Sequence, residues 1–393
     1  MANRDALIKQ LEQEGFTQVR ICPLPPNKDL PQHTHDEHTI HIILEGVLTI
    51  TQNRKSKTYK PGDRVEFPAG TTHKARGKTD SGKMIIGVKE KIGGMIMTQK
   101  IIPHLWFDKE AKEAAKFYTS IFPNSKVTTI NTIHDTPTGD CDIVSFELAG
   151  QKFMAISAGP YFKFTPAISF IVGCETREEV DQLWDKLSKG GKILMPLDTY
   201  PFSERYGWTE DKYGLSWQLI LTKPEGEDRP KIVPSLLFVK KKSGKAKQAR
   251  DFYLSVFKNS KEGRTIYYEE DTKFYQKKDD VMFSDFRHEN MWIAAMDGGS
   301  PHEFDFNEAV SFIVKCDTQE EIDYYWKKLS ADPKSEQCGW LKDKFGVSWQ
   351  IVPTILDKMM SDKDEKKVAQ VTQAFLKMKK FDIKILNRAY QER

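Results

Sequence analysis

The stretch GWTEDKYGLSWQLI, residues 207–220, returns near the end of the chain as GWLKDKFGVSWQIV, residues 339–352. Two further pairs of stretches repeat in the same order: KFYTSIFPNSK (116–126) with DFYLSVFKNSK (251–261), and AISFIVGCETREEVDQLWDKL (167–187) with AVSFIVKCDTQEEIDYYWKKL (309–329). Ordered repetition at a nearly constant separation indicates an internal duplication. The chain therefore holds two related units of about 125 residues each, and residues 1–95 are separate from both.

Each unit predicts the same alternation of strands and helices. The β-branched runs AISFIV and AVSFIV each lead, through a Thr-x-x-Glu capping box at Thr176 and Thr318, into an amphipathic helix. A Gly-Trp turn and a final strand follow. Upstream in the first unit, IIPHLWF leads into the helix EAKEAAKFYTSIF, and the strands TTINTI, DIVSFEL and KFMAIS come next. The pattern predicts strand, helix and three strands, a βαβββ module, twice in each unit.

This doubled βαβββ pattern resembles the vicinal oxygen chelate superfamily, which includes glyoxalases, bleomycin resistance proteins and extradiol dioxygenases. The stretches PHLWFDKEAKEAAKFY and AISFIV, and the ending GW-x2-DK-x-G-x-SWQ, resemble its PhnB-like branch more closely. The resemblance covers both units over their full length. It implies two α+β units of paired βαβββ modules, at residues 99–224 and 230–355, followed by a helical tail at residues 356–393.

The resemblance also points to the positions where metal-dependent members of the superfamily hold their ligands. In this chain those positions read His104, Ala167 and Gln218 in the first unit and Ser235, Ala309 and Gln350 in the second. Alanine has no lone pair to give, and serine and glutamine are weak neutral donors. Neither unit therefore offers the anionic or imidazole donors that a first-row metal needs. We expect His104 to act as a hydrogen-bonding residue of a pocket.

A small-molecule pocket on the concave face of the sheet is expected instead. Side chains alternate along a strand, so the glutamine of each SWQ ending should face the concave side while Trp217 and Trp349 face the helices. The predicted pocket residues are His104, Trp106, Ser216, Gln218, Ser348 and Gln350. An apolar cleft with a few amides and hydroxyls is typical of a ligand site. The same surface also suits an interface between domains.

Histidines crowd a second region of the chain. HTHDEHTIHIILEG, residues 33–46, holds four of the nine histidines. Side chains two residues apart on a strand share a face, so the imidazoles of His33 and His35 can reach one ion. Further on, GDRVEFPAGTTH, residues 62–73, follows the pattern G-x5-P-x-G-x2-H. Together the two stretches resemble the two motifs of the cupin superfamily, small β-barrels whose interior often holds a metal.

Residue by residue, the cupin resemblance implies His33 and His35 as the first two metal ligands and His73 as the last. The family's glutamate position is taken by Thr39, which is a poor ligand. However, His41 lies on the same face of the strand as Thr39 and should also point into the barrel. The predicted ligands, in an all-β cupin barrel at residues 1–95, are His33, His35, His41 and His73.

A site of neutral imidazoles suits a divalent transition metal, and the resemblance implies Fe, Zn, Mn, Ni or Cu. His38, the remaining histidine of the stretch, should face outward. A cupin without metal is the alternative, because waters and backbone carbonyls can also satisfy barrel histidines.

Composition limits the partners. Lys plus Arg (60) and Asp plus Glu (56) nearly balance, for a net charge of +4, so no strong field of one sign indicates a nucleic-acid partner. The five cysteines are scattered without CxxC spacing, which fits a reducing cytoplasm. No stretch approaches the length of a membrane-spanning helix. We expect a cytoplasmic protein with a small-molecule ligand, no nucleic-acid or membrane partner, and the capacity to form a homo-oligomer.

Three hypotheses for the function remain. The first is an enzyme, a metal-dependent lyase or dioxygenase, with its metal in the cupin barrel and a small metabolite bound by the tandem units. The second is a non-catalytic protein that binds or sequesters a small molecule, as bleomycin resistance proteins do. The third is a methyltransferase of the ubiquinone pathway, a label often attached to PhnB-like sequences, but no S-adenosylmethionine-binding glycine loop is visible. The sequence assigns no catalytic residues.

Overall fold

The computed structural model describes residues 4–14, 16–24, 29–35, 38–52, 55–68, 71–79, 82–89, 99–136, 139–222, 229–273, 276–299 and 302–391. The chain divides into two compact units, Met1–Thr98 and Gln99–Arg393, which are called the first and second units from here on. The two related stretches of about 125 residues both lie in the second unit and are called the first and second repeats. The predicted domain boundaries at residues 95 and 224 lie outside the described residues. Within the described ranges, no helix is long and apolar enough to cross a membrane.

The first unit is β-rich, as predicted. Its elements are α1 (Arg4–Gln13), β1 (Thr17–Pro23), β2 (Asp29–Thr34), β3 (His38–Glu45), β4 (Leu48–Gln52), β5 (Lys55–Tyr59), β6 (Arg64–Phe67), β7 (Thr72–Gly77) and β8 (Lys83–Lys89). The strands form two four-stranded sheets, in the orders β1-β8-β3-β6 and β2-β7-β4-β5. Apolar side chains from both sheets, such as Ile43 and Ile50, share one core. On the outer side of β3, Leu11 of α1 packs with Ile40 and Ile42, so the odd-numbered residues of β3 face the interior.

The second unit contains both repeats and the tail. The first repeat comprises β9 (Ile101–Phe107), α2 (Ala111–Ile121), β10 (Lys126–Thr136), β11 (Gly139–Leu148), β12 (Gln151–Ser157), β13 (Ile168–Cys174), α3 (Arg177–Leu187), β14 (Lys192–Tyr200), β15 (Ser203–Glu210) and β16 (Ser216–Leu221). The second comprises β17 (Ile232–Phe238), α4 (Ala246–Val256), β18 (Ser260–Tyr267), β19 (Val281–His288), β20 (Met291–Asp297), β21 (Val310–Cys316), α5 (Gln319–Leu329), β22 (Trp340–Lys342) and β23 (Ser348–Pro353). The tail forms α6 (Ile355–Met360), α7 (Glu365–Phe375) and α8 (Ile383–Gln391). The predicted fold class is confirmed.

The predicted caps begin α3 and α5. Thr176 accepts a hydrogen bond from the backbone N–H of Glu179 at 3.1 Å, and Thr318 accepts one from Glu321 at 3.2 Å. These bonds satisfy N–H groups that have no partner inside the first turn of a helix.

The two repeats exchange halves. The second unit contains two sheets. The first sheet has the strand order β10-β11-β12-β9-β21-β23-β22, and the second sheet has the strand order β14-β15-β16-β13-β17-β20-β19-β18. The first sheet thus joins the first half of the first repeat to the second half of the second repeat, through an antiparallel ladder between β9 and β21. A matching ladder joins β13 and β17 in the second sheet. Helices α2 to α5 pack on one face of the sheets, and the opposite face is here called the concave face.

The last module departs from the predicted βαβββ pattern. Only β22 and β23 follow α5, in a stretch that the structure describes throughout. The segment between α5 and the Gly-Trp turn is ten residues shorter than its counterpart after α3, and the equivalent of β14 is lost with those residues. The tail takes its place, because the N–H groups of Cys338 and Gly339 donate to the carbonyls of Met378 and Lys379 at 2.8 and 2.7 Å. The ring of Phe381 packs so closely on Gly339 that a Cβ there would lie 2.4 Å from it.

The DK-x-G-x-SWQ ending ties the last strand to a helix of the same repeat. Oδ1 of Asp343 accepts the N–H groups of Phe345 and Val347 at 2.8 and 3.1 Å. Oδ2 accepts the hydroxyl of Tyr253 on α4 at 2.7 Å and the indole N–H of Trp349 at 2.9 Å. The equivalent aspartate of the first repeat accepts hydrogen bonds from the four corresponding donors of that repeat. The tryptophan of each ending therefore faces the helices, and the glutamine after it faces the concave side, as predicted.

Candidate functional site

Two paired strands of the first unit bring three histidines together. His33 on β2 lies opposite His73 on β7 in the antiparallel ladder, and His35 follows directly after β2. The ligand nitrogens of these three residues all lie within 4.8 Å of one another. Imidazole nitrogens bind Zn²⁺ at about 2.0–2.1 Å, so small side-chain rotations would bring all three to one ion. His38 lies outside the group and pairs with Glu66 at 3.1 Å.

Hydrogen bonds to Nδ1 orient two of the rings. Nδ1 of His33 lies 3.0 Å from the carbonyl oxygen of Pro31. Because a carbonyl can only accept, Nδ1 carries the proton and Nε2 of His33 keeps its lone pair for a ligand bond. Nδ1 of His35 lies 2.9 Å from Oγ1 of Thr39. The residue at the family's glutamate position thus orients a neighbouring imidazole, a role that outer partners of metal ligands commonly have.

His41 lies on the interior face of β3 and does not join the group of three. Its ring centroid is 5.8 Å from that of His35. Nδ1 of His41 and Nδ1 of His73 are buried and have no hydrogen-bond partner among the described residues. Burial, assisted by the nearby imidazoles, lowers the pKa of His41 to about 3 and that of His73 to about 4. Both rings are neutral at physiological pH, which is the state that binds a metal.

The aromatic ring of Phe67 packs against one side of the histidine group. Its ring stacks on those of His35 and His73, with centroid distances of 4.7 and 4.2 Å. It meets His41 edge-on at 5.0 Å. A ring in contact with three imidazoles restricts their rotation and keeps water away on that side.

In the second unit, the exchange of halves determines which predicted pocket residues meet. His104 on β9 lies opposite Ser311 on β21, with 3.5 Å between Nδ1 and Oγ. Gln350 donates to the same Oγ at 3.0 Å. His104 is therefore grouped with the glutamine of the other repeat and not with Gln218 of its own repeat. Burial lowers the pKa of His104 to about 3, so its imidazole is a neutral hydrogen-bonding group.

Trp340 on β22 completes this concave face and was not among the predicted pocket residues. Its ring meets His104 at 5.4 Å and Trp106 at 5.9 Å. Trp106 shares the face with His104, as strand alternation predicts, and its indole N–H donates to the carbonyl of Gly159 at 2.8 Å. Ser348 is buried on β23. The repeated Gly-Trp turn marks Trp340 in the sequence, but only the exchange of halves brings it to His104.

The second sheet presents Gln218 and Ser216 on its concave face. Gln218 donates to Oγ of Ser169 at 2.7 Å and accepts from the hydroxyl of Tyr206 at 2.7 Å. Ser216 accepts the indole N–H of Trp208 at 2.8 Å. The predicted pocket residues are thus divided between two sheets, each with its own network of hydrogen bonds.

Comparison with protein families agrees with this architecture. The family described as 3-demethylubiquinone-9 3-methyltransferase matches residues 99–220 and again residues 230–352. The chain belongs to this family. The cupin domain family matches residues 20–87, so the predicted combination of a cupin and two PhnB-like units is confirmed. No curated protein matches the chain significantly.

Several solved structures are similar to parts of the chain. A PhnB protein from Bacillus cereus, described as a 3-demethylubiquinone-9 3-methyltransferase, is 45% identical over 32% of this chain and 100% of its own, with a TM-score of 0.30. A protein from Staphylococcus aureus is 34% identical over 32% of this chain and 97% of its own, with a TM-score of 0.14. A cupin-2 domain containing protein from Shewanella frigidimarina is 23% identical over 17% of this chain and 65% of its own, with a TM-score of 0.16.

Proposed function

We propose that this protein is a metal-binding cupin fused to a pair of small-molecule-binding PhnB-like units, and that it acts as an enzyme on a small metabolite. The observation that carries the proposal is the group of three imidazole nitrogens within 4.8 Å, in a region that matches the cupin family. Cupin domains generally bind a divalent metal, and both kinds of domain in this chain are typical of small-molecule binding.

The residues present fit a divalent transition metal. His33, His35 and His73 would hold the ion, and His41 is a further imidazole with a buried, unpartnered Nδ1 among the described residues. Neutral imidazoles suit Zn, Cu, Ni or Fe(II), and the missing carboxylate would leave the ion's charge less compensated than in a site with glutamate. A bound ion of this kind supplies Lewis acidity toward an oxygen atom of a substrate.

The chain's own side chains prepare the site. The carbonyl of Pro31 holds the proton of His33 on Nδ1, and Thr39 orients His35. Phe67 limits the access of water from below, and burial keeps His73 unprotonated. These residues would fix the imidazoles in the protonation state and direction that metal binding requires.

The paired units would bind the small molecule without a metal of their own. Their residues at the superfamily's ligand positions are two alanines, one serine, two glutamines and one neutral histidine, a poor donor set for a first-row ion. A non-catalytic binding protein is the second candidate function, and the threonine at the cupin's glutamate position favours it. Methyl transfer, named in the family's description, is not proposed because the sequence lacks a glycine-rich loop for S-adenosylmethionine.

Elemental analysis of the full chain, purified without a histidine tag, tests the metal site. We expect about one transition-metal ion per chain. The double variant His33→Ala, His35→Ala should lose the ion. His38→Ala, which removes an imidazole outside the group, is the matched control and should keep it. Circular dichroism establishes that each variant is folded, and a metal content near zero in the folded wild type would leave only the second candidate.

A further inference from the structure

The concave faces of the two sheets differ at the position that follows the proline of β9 and of β17. His104 on β9 and Ser235 on β17 each follow the proline of their strand and occupy the same place in the two repeats. The ladder pairs His104 with Ser311 in the first sheet, and it pairs Ser235 with Ser169 in the second. A serine side chain is much smaller than an imidazole and cannot reach the same partners.

In the first sheet, side chains of the protein itself surround His104 at this position. Gln350 donates to Ser311 at 3.0 Å, and the ring of Trp340 meets the His104 imidazole at 5.4 Å. In this described part of the sheet, none of these four side chains has a buried polar atom without a partner. The centre of the face is thus occupied by protein groups.

In the second sheet, the hydroxyl of Ser235 takes no part in the hydrogen-bond network of the concave face. Gln218 donates to Ser169 and accepts from Tyr206, so that network closes without Ser235. Ser235 is 0% exposed, and its Oγ has no partner within the ranges that the structure describes. A buried hydroxyl without a partner destabilises the fold, and such groups commonly mark the place of a ligand or water.

The surroundings of Ser235 are mostly apolar. A hydrophobic cluster separate from the core beneath the helices lies on this face and contains Val233, Trp292 and Ala294. The guanidinium of Arg229 lies 3.5 Å from the centre of the Trp292 ring. Asp285 compensates its charge through a contact of 2.7 Å. Arg287, in register with Trp292 on the neighbouring strand β19, adds a buried Nε that has no partner among the described residues, so this face holds a second polar group that an oxygen atom of a ligand would satisfy.

Aromatic side chains of the β14–β15 hairpin extend the same side of the sheet. Phe202 stacks with Tyr200 at 5.7 Å and meets Tyr206 edge-on at 4.9 Å. Tyr206 continues into the buried network through Gln218, whereas Phe202 is 59% exposed. These rings lie toward the edge of the face, in a hairpin that β16 and β13 separate from β17. This hairpin has no counterpart in the described part of the first sheet, because the equivalent of β14 is missing.

We propose that the concave face of the second sheet, and not that of the first, binds the ligand of the paired units. The ligand is a small molecule whose hydroxyl or carbonyl group hydrogen-bonds to Ser235. This inference rests on the proposed small-molecule binding and names its site and ligand class. Because Ser235 is fully buried, binding requires side chains of this face to rotate. The chain therefore binds one such molecule although it has two repeats.

Two probes of equal shape, 4-fluorophenol and 4-fluorotoluene, test this proposal on the full chain by ¹⁹F NMR. The wild type should bind the phenol about five-fold more tightly, because only the phenol can pair with Ser235. Ser235→Ala should bind both probes equally and melt no lower than the wild type, since it loses an unpartnered hydroxyl. Ser311→Ala, which removes a serine hydroxyl from the concave face of the first sheet, should keep the wild-type preference.

Two results would overturn the proposal and leave small-molecule binding intact. One is a preference for the phenol that survives in Ser235→Ala, and the other is a preference that Ser311→Ala removes to the same extent. Failure of both probes to bind the wild type at about 10 mM, far above the millimolar affinity expected of fragments, would overturn the binding role of the paired units as well. The metal content of the cupin tests the remaining part of the proposed function independently.

Discussion

A buried imidazole at His288 distinguishes the second repeat from the first. His288 is 0% exposed on β19, and neither ring nitrogen has a hydrogen-bond partner among the described residues. Its ring stacks on Phe257 at 4.7 Å. The counterpart in the first repeat is Leu148, an ordinary core residue. Burial lowers the pKa of His288 from 6.5 to about 3.

Replacing His288 by leucine is expected to raise the free energy of unfolding at acid pH. Between pH 6.5 and pH 3 the unfolded chain binds a proton that the buried imidazole cannot, so the native state loses stability as the pH falls through this window. The gain in His288→Leu should be about 2 kcal/mol larger at pH 5 than at pH 7.5. Urea unfolding at both pH values measures it. His134→Leu, at an exposed histidine, is the control, and an equal gain at both pH values would contradict a neutral buried ring.

Sequence predicts much of the candidate metal site at this scale. His33 and His35 follow from strand alternation, and His73 follows from the spacing of the second cupin motif. The orienting role of Thr39 was not predictable, because it depends on the direction of one hydroxyl toward His35. The separation of His41 from the other three rings also depends on side-chain directions, which a pattern of alternating residues does not fix.

At the scale of elements, the C-terminal tail substitutes for a strand. It pairs with Cys338 and Gly339, where the first repeat uses β14, and Phe381 packs against the glycine. An uncovered strand edge is a template for pairing with another chain. We therefore expect a chain that ends at Ser361 to associate with itself, with an apparent mass that rises with protein concentration. Size-exclusion chromatography with light scattering measures this mass.

A chain that ends at Asp382 is the matched control for this truncation. It keeps the paired segment and Phe381 but loses α8, so its apparent mass should match that of the intact protein. Equal association of both truncated chains would contradict the role given to the paired segment and assign the effect to α8.

The loss of the β14 equivalent can be read from the sequence, but the role of the tail cannot. The separation between matched residues falls from 142 at Ala167 and Ala309 to 132 at Gly207 and Gly339. A deletion of this size leaves room for one strand fewer. The tail residues from Leu376 to Phe381 carry no strand pattern, because backbone hydrogen bonds and one ring against a glycine hold them in place.

At the scale of the whole molecule, neither repeat closes a sheet alone. In the first repeat, β9 pairs with β21 and β13 pairs with β17, and both partners belong to the second repeat. A chain of residues 99–224 would leave β9 and β13 without these partners. We expect two copies to exchange halves and form a stable homodimer, with twice the single-chain mass by light scattering.

Residues 99–393, which already hold both repeats, are the control for this dimer and should show the mass of one chain at the same concentration. A folded monomer of residues 99–224 would mean that β9 can pair with β13 of its own repeat. The exchange of halves would then be a product of the covalent link and not of the strands themselves.

The sequence predicts two units but not the exchange between them. The strands IIPHLWF and IVPSLLF are nearly alike, and so are AISFIV and AVSFIV. Pairing within a repeat and pairing between repeats therefore bury similar apolar surfaces and satisfy the same hydrogen bonds. The choice depends on how the connections between strands run, which local patterns do not record.

The connection from β16 to β17 has a consequence for how this arrangement can persist and diverge. Because one polypeptide carries all four halves, their encounter is intramolecular, with an effective concentration in the millimolar range, and dilution does not separate them. In a homodimer of identical copies, every mutation in the gene appears at both equivalent sites. Fusion removes that coupling, so His104 and Ser235 can occupy equivalent positions in one protein, and selection can act on one concave face while the other diverges without constraint.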